Sequence, residues 1–190
     1  MSNSISKKEG SLLLKMARAS IGEKLGVQPE LPELPEDQSF LENKQGLFVT
    51  LHKKGKLRGC IGTIEPVKRL GRAIVENAKF AAFRDHRFSP LSKDEFNEVD
   101  IEISLLSVPE KFEYESSGDL VNGLEPHKDG VIIEKGGARA TFLPQVWEQL
   151  PNCDVFLTHL CVKAGLAADA WEKEKINVYT YGVQSFGEKS

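Results

Sequence analysis

The chain has 190 residues, 40% hydrophobic and 28% charged, with a formal net charge of −3 at pH 7. That length suits one domain, with room for two lobes and a sizeable core. The mildly acidic balance argues against a dedicated nucleic-acid binder, which would carry a basic face.

No apolar run reaches the roughly 20 residues that a membrane-spanning helix needs, and the opening MSNSISKKEG lacks the hydrophobic stretch of a secretory leader. Three cysteines, Cys60, Cys153 and Cys161, are too few and odd in number for a disulfide framework. The expectation is a cytoplasmic protein with reduced thiols, acting on neither membrane nor nucleic acid.

The spacing of Leu13, Met16, Ala17, Ile21 and Leu25 predicts a helix over 9–25, with Gly26 placed to end it. Pro29, Pro32 and Pro35 then make a stiff, acidic connector of 27–38. LFVTLHKKGKLRGCIGTI alternates, breaks and alternates again, which predicts a hairpin of Leu47–His52 with Leu57–Ile64 turned around Gly55. Pro66 suits the first position of a helix whose buried stripe is Val67, Leu70, Ile74, Ala78 and Ala81. Ser92 and Glu95 spell a capping box for a short helix. VDIEISLLSV reads as a strand with Ile101, Ile103 and Leu105 on one face and Glu102 and Ser104 on the other.

The second half repeats that layout. GVIIEKGGARATFLPQVWEQL is a strand, a glycine turn, a strand, a proline and a helical stretch. DVFLTHLCVKAG follows as a helix stopped by Gly165, and INVYTYGVQSF closes as a strand. Two hairpin–helix–strand units, about 46–108 and 129–187, predict an α+β fold with an internal duplication around one mixed or antiparallel sheet.

The segment GKLRGCIGTIEP carries the chemistry. Strand alternation puts Arg58, Cys60 and Gly62 on one face and Leu57, Gly59 and Ile61 on the other. A guanidinium beside a thiol favours the reactive thiolate. Gly62 would leave the face bare beside the sulfur, while Gly59 would admit another backbone from behind. Two roles fit Cys60: a reactive group in a pocket wall, or a small buried hydrophobe. Glu102 is balanced in the same way. It would need a partner such as Arg58 if buried, and none on a solvated strand face.

Cys153, His159 and Cys161 lie close in sequence, but residues two apart on a helix point away from each other. No paired ligand spacing accompanies them, so no metal is expected. His127, Lys128 and Asp129 in PHKDG read as a polar turn or as a base near a sheet edge. No glycine-rich phosphate loop and no Gly-x-Ser-x-Gly elbow is present, and no cofactor is expected.

LRGCIGTIEP, NAKFAAFRDHRFSPLSKDEF, IEISLLSVPE, DGVIIEKGGARATFLPQVW, FLTHLCVKAGL and the following Trp171 resemble, in order, the AMMECR family, also called protein A of the AmmeMemoRadiSam system. The resemblance runs from LLLKMARASIGEKLG to VQSFGE, nearly the whole chain, with His86 standing where proline is common. It implies a single α+β domain with a duplicated layout around one barrel-like curved sheet. It also implies association with Memo-like and radical SAM proteins. Arg58, Gly59, Cys60, Ile61 and Gly62 match the signature hexapeptide with Leu57, and Glu102, Asp129, Gln145 and Trp171 fall in its other blocks.

Two functions follow as expectations. In one, Cys60 is a nucleophile in group transfer, Arg58 stabilises its thiolate or an anion, and Glu102 orients the guanidinium. Arg58, Gly59, Gly62, Asp129, Gln145 and Trp171 would line the cleft for a small or anionic ligand. In the other, the protein is a non-catalytic regulatory or interaction module. Either way, Arg58 and Glu102 are expected within ion-pair reach, on the side of the sheet that carries Cys60.

Overall fold

Ser6 starts the first helix, α1 (Lys7–Leu25), through a reciprocal capping box with Glu9, and Gly26 ends it with φ +66°, a conformation that costs glycine nothing. The computed structural model describes residues 4–27 and 32–189. Residues 28–31 of the proline-rich connector lie outside the described residues, and 32–38 form no helix or strand. Among the described residues no helix is long and apolar enough to cross a membrane. The chain divides into two compact units, one built from 1–106 with 184–190 and the other from 107–183.

In the first unit, β1 (Leu47–Lys53) and β2 (Lys56–Thr63) form the expected hairpin. Lys54 and Gly55 both take positive φ in its two-residue turn, the geometry that matches strand twist. The strand β3 (Val99–Leu106) pairs antiparallel with β1, and the last strand, β8 (Val183–Gly187), adjoins β3 to give the order β2-β1-β3-β8. Leu47, Val49, Leu51, Ile101, Ile103 and Leu105 are wholly buried on one face. They pack with Leu13 and Ile21 of α1 and with Ile74 and Ala78 of α3 (Leu70–Phe83). The alternate residues Thr50, His52, Cys60 and Glu102 are left for the other face.

Helix α3 starts four residues later than Pro66 suggests. The Leu70 amide donates to the Asn43 carbonyl beyond the short helix α2 (Ser39–Glu42), and Arg69 bridges to Lys44. Those ties hold the lead-in extended, and Val67 is exposed rather than part of the stripe.

The second unit contains β4 (Glu110–Phe112), α4 (Ser117–Gly123), β5 (Gly130–Lys135), β6 (Ala138–Phe142), a 3-10 turn Pro144–Glu148, α5 (Cys153–Lys163), α6 (Ala170–Lys173) and β7 (Asn177–Tyr181). Its antiparallel sheet has the order β4-β7-β5-β6. Its core gathers Val131, Ile133, Leu157, Leu160 and Val178 around Trp147, which stacks on Phe156 with ring centres 3.6 Å apart.

One sheet was expected, and this is corrected: the described strands form two four-stranded antiparallel sheets, neither closed into a barrel. The closing run INVYTYGVQSF is two strands rather than one. β7 belongs to the second sheet and β8 to the first, with Gly182 between them. Gly182 exchanges bonds with Ser107, whose amide and hydroxyl both meet its backbone at 2.9 Å. The α+β class itself is observed.

Candidate functional site

β2 is the outer strand of its sheet, so its outward backbone groups need partners from elsewhere. The segment after α3 supplies them. The Cys60 amide donates to Asp85 Oδ2 at 2.9 Å, and the Cys60 carbonyl accepts from Arg87 Nη2 at 3.4 Å. Asp85 is 4% exposed and also accepts from Arg87 Nε at 2.9 Å, from Arg87 Nη2 at 2.7 Å and from the Arg87 amide at 3.1 Å. The Arg87 guanidinium holds the Asp85 carboxyl well below the usual carboxylate range. A carboxylate and a guanidinium thus stand where a neighbouring strand would offer a carbonyl and an amide.

Beside Cys60 the hairpin register slips. Leu51 faces Gly59 while His52 faces Leu57, which leaves Arg58 unmatched. Such a bulge breaks the side-chain alternation and re-aims the residue. The Arg58 guanidinium grips Glu95 with two prongs, Nε to Oε1 at 3.2 Å and Nη2 to Oε2 at 2.9 Å. Lys53 Nζ donates to the same Oε1 at 3.0 Å. Glu95 stands in the 3-10 turn Asp94–Asn97, whose capping bonds with Ser92 it also completes. The Arg58 hydrogen bonds, with help from Lys53, outweigh burial and bring the Glu95 pKa down to about 2. Arg58 is 9% exposed, and its Nη1 is buried with no hydrogen-bond partner among the described residues.

Two expectations are therefore corrected. The partner of Arg58 is Glu95, not Glu102. The cation acting on Cys60 is Arg87, and its pull is outweighed: burial pushes the Cys60 thiol up despite a hydrogen bond from Thr50 Oγ1 at 3.3 Å. A depressed, nucleophilic thiolate is not what this environment makes.

The glycines act by close approach. A Cβ on Gly59 would lie 2.2 Å from the Ala81 carbonyl oxygen, so the end of α3 rests directly on the strand. A Cβ on Gly62 would lie 2.1 Å from the Leu47 carbonyl oxygen and 2.6 Å from the Phe48 ring. The bare surface expected beside the sulfur is filled by Phe48.

Thr50 is opposite both Cys60 and Glu102, so the three make a row across the outer face of the sheet. Glu102 Oε2 lies 3.8 Å from His52 Nε2. An open groove of about 450 Å³ begins here, lined by His52, Asp100, Glu102, Ser185, Glu188 and Lys189 among others. Sequence reasoning missed His52, Asp100 and Ser185, whose strand positions on the face of Glu102 were the available signal.

The remaining site candidates belong to the second unit. Asp129 accepts the Glu125 amide at 2.8 Å in the PHKDG turn, where His127 takes φ +65°, and its carbonyl accepts from Trp147 Nε1 at 2.8 Å. Trp171 is a core residue whose indole donates to Thr158 Oγ1 at 3.1 Å. Gln145 is exposed on the 3-10 turn. On α5, Cys161 is buried and His159 exposed.

The AMMECR1 family model matches residues 14–186, from within α1 to within β8, and so takes in both sheets and the whole LRGCIG segment. The chain belongs to the AMMECR1 family. A protein of Methanothermobacter thermautotrophicus is 41% identical over 97% of this chain and 96% of its own length. Protein MK0488 of Methanopyrus kandleri is 36% identical over 100% of this chain and 93% of its own. The crystal structure of the uncharacterized protein PH0010 from Pyrococcus horikoshii superposes with a TM-score of 0.84 at 32% identity, covering 97% of this chain and 94% of that one.

Proposed function

We propose that this AMMECR1-family protein is a small-molecule binding protein whose ligand occupies the groove on the outer face of the first sheet, with His52, Asp100 and Glu102 as its polar contacts. The observation that carries this is the groove itself: about 450 Å³, inside the range of sites that enclose small ligands, with ionisable groups converging on it. The LRGCIG motif is read as the frame of that face. Arg58 is committed to Glu95, Gly59 to α3, and the Cys60 backbone to Asp85 and Arg87.

Cys60-dependent group transfer has weaker support, because burial raises the thiol. Family resemblance supports placing the binding role beside Memo-like and radical SAM proteins.

A thermal-shift screen of metabolites grouped as amines, carboxylates, sugars and nucleotides tests the reading, on the wild type and on Ser185→Trp. Ser185 is exposed and lines the groove, so a tryptophan there fills it, at the loss of the 3.4 Å hydroxyl contact with Ser104. Stabilising compounds are expected to lose their effect in the variant. Hits that stabilise both proteins equally would place the ligand elsewhere and overturn the assignment.

A further inference from the structure

One wall of the groove carries a lysine from the segment after β8. Lys189, two residues past the end of β8, lines it, and its ammonium is paired with Asp100. The other wall charges are acidic or shared. Glu188 is taken by Arg18 and by the Ile101 amide, which donates to Oε2 at 2.8 Å. Glu102 is 37% exposed, and its contact with His52, at 3.8 Å, is longer than a hydrogen bond.

Asp100 and Glu102 are two positions apart on β3 and so share a face, about 7 Å apart along the strand. One of the two carboxylates is satisfied by a primary ammonium on an aliphatic stem, and the other has room for the same chemistry. Lys189 shows what the groove accepts.

We propose that the groove takes an aliphatic diamine or polyamine, its ammonium groups on Asp100 and Glu102, and that Lys189 is a tethered stand-in displaced when the ligand binds. This rests on the groove being the ligand site, and adds the ligand's class and a self-competing residue. The Lys189 side chain is 73% exposed, and an exposed ion pair holds its partner by no more than about fivefold in equilibrium constant. The stand-in is therefore weak enough to leave and strong enough to be measured. An amine spanning both carboxylates gains a second pairing that Lys189 does not make.

The experiment is titration calorimetry with 1,5-diaminopentane and spermidine, with glutarate and inorganic phosphate as anionic controls. It is run on the wild type, Lys189→Met, Asp100→Asn and Glu102→Gln, with amide chemical shifts at His52 and Ser185 recorded for each. Diamine binding is expected in the wild type, two- to fivefold tighter in Lys189→Met and about tenfold weaker in each carboxylate variant. Unchanged diamine affinity in all three variants would overturn the proposal. Glutarate or phosphate shifting His52 and Ser185 while the amines do not would sink the amine class and leave the groove standing. If neither the amines, the anions nor any compound of the wider screen moves those two amides, the groove falls as well.

Discussion

Cys60 is held at three of its own atoms: its amide by Asp85, its carbonyl by Arg87 and its sulfur by Thr50. The backbone contacts explain why a residue is fixed at this point of the edge strand. The sulfur contact and burial describe a packed thiol. An unperturbed cysteine is only a few per cent thiolate at neutral pH, and burial lowers that fraction here. Cys60 is expected to react with iodoacetamide at pH 7 more slowly than N-acetylcysteine. Arg87→Met should slow it further, because Arg87 is the cation favouring its thiolate, while Arg58→Met should not act through the thiolate. Timed labelling read by peptide mass spectrometry checks this, and a Cys60 faster than the free thiol would restore the nucleophile reading.

The spacing of Arg58, Gly59 and Cys60 was visible in the sequence, but the register slip was not, since no residue type announces a bulge. Glu95 was legible only as a capping residue, because its capping of Ser92 and its grip on Arg58 use the same carboxylate. That carboxylate gives a pH prediction. Glu95 has a folded pKa of about 2 against 4.5 ordinarily, so its pairing stabilises the fold above pH 4.5 and the contribution fades as pH falls toward 2. Its side chain is 21% exposed, and after allowance for solvent screening the contribution is about 1–2 kcal/mol. Glu95→Gln should therefore melt below the wild type at pH 7, with the gap narrowing between pH 4.5 and 2. A gap that stays constant across that window would show that Glu95 is not held by its cations.

Elements were read well where local chemistry is complete. The β1–β2 hairpin has its turn glycine and its alternation, and α1 has a stop that only Gly26 satisfies at low cost. The edge plug was not read, because Asp85 and Arg87 look like solvated loop residues until β2 is known to be an outer strand. Removing the plug should cost the strand its outer partners. Asp85→Ala leaves the Cys60 amide and the Arg87 guanidinium without their acceptor, at about 2–3 kcal/mol. Asp85→Asn keeps an acceptor oxygen and should cost less. Denaturant unfolding gives the energies, and hydrogen exchange at the Cys60 amide should speed up in Asp85→Ala beyond the change in global stability. Equal exchange rates after that correction would mean the plug does not guard the strand. Gly59→Ala tests the other side, where a methyl meets the Ala81 carbonyl at 2.2 Å with no flexible side chain to yield, at about 1–3 kcal/mol.

At the scale of the molecule, alternation continues through a strand that changes sheets, so INVYTYGVQSF could not reveal that it belongs to two. The result is a first unit that needs the end of the chain. β8 flanks β3, Phe186 packs on Gly10, Gln184 exchanges bonds with the Ile5 backbone at 3.0 and 2.6 Å, and Glu188 pairs with Arg18. The second unit closes its own core within 107–183, and both tryptophans of the chain, Trp147 and Trp171, lie inside it. Ending the chain after Val183 removes all but the first residue of β8 from one sheet and no residue of the other core. The truncated protein is expected to lose several kcal/mol in the first unit, since a half-buried aromatic, Phe186, and the ladder bonds of a strand go together. Its far-ultraviolet circular dichroism should melt in two steps, the earlier one silent in tryptophan fluorescence. The later step should carry the fluorescence change and sit near the wild-type midpoint. A single transition in which fluorescence and circular dichroism fall together at a lowered midpoint would show that the second core does not stand without the first.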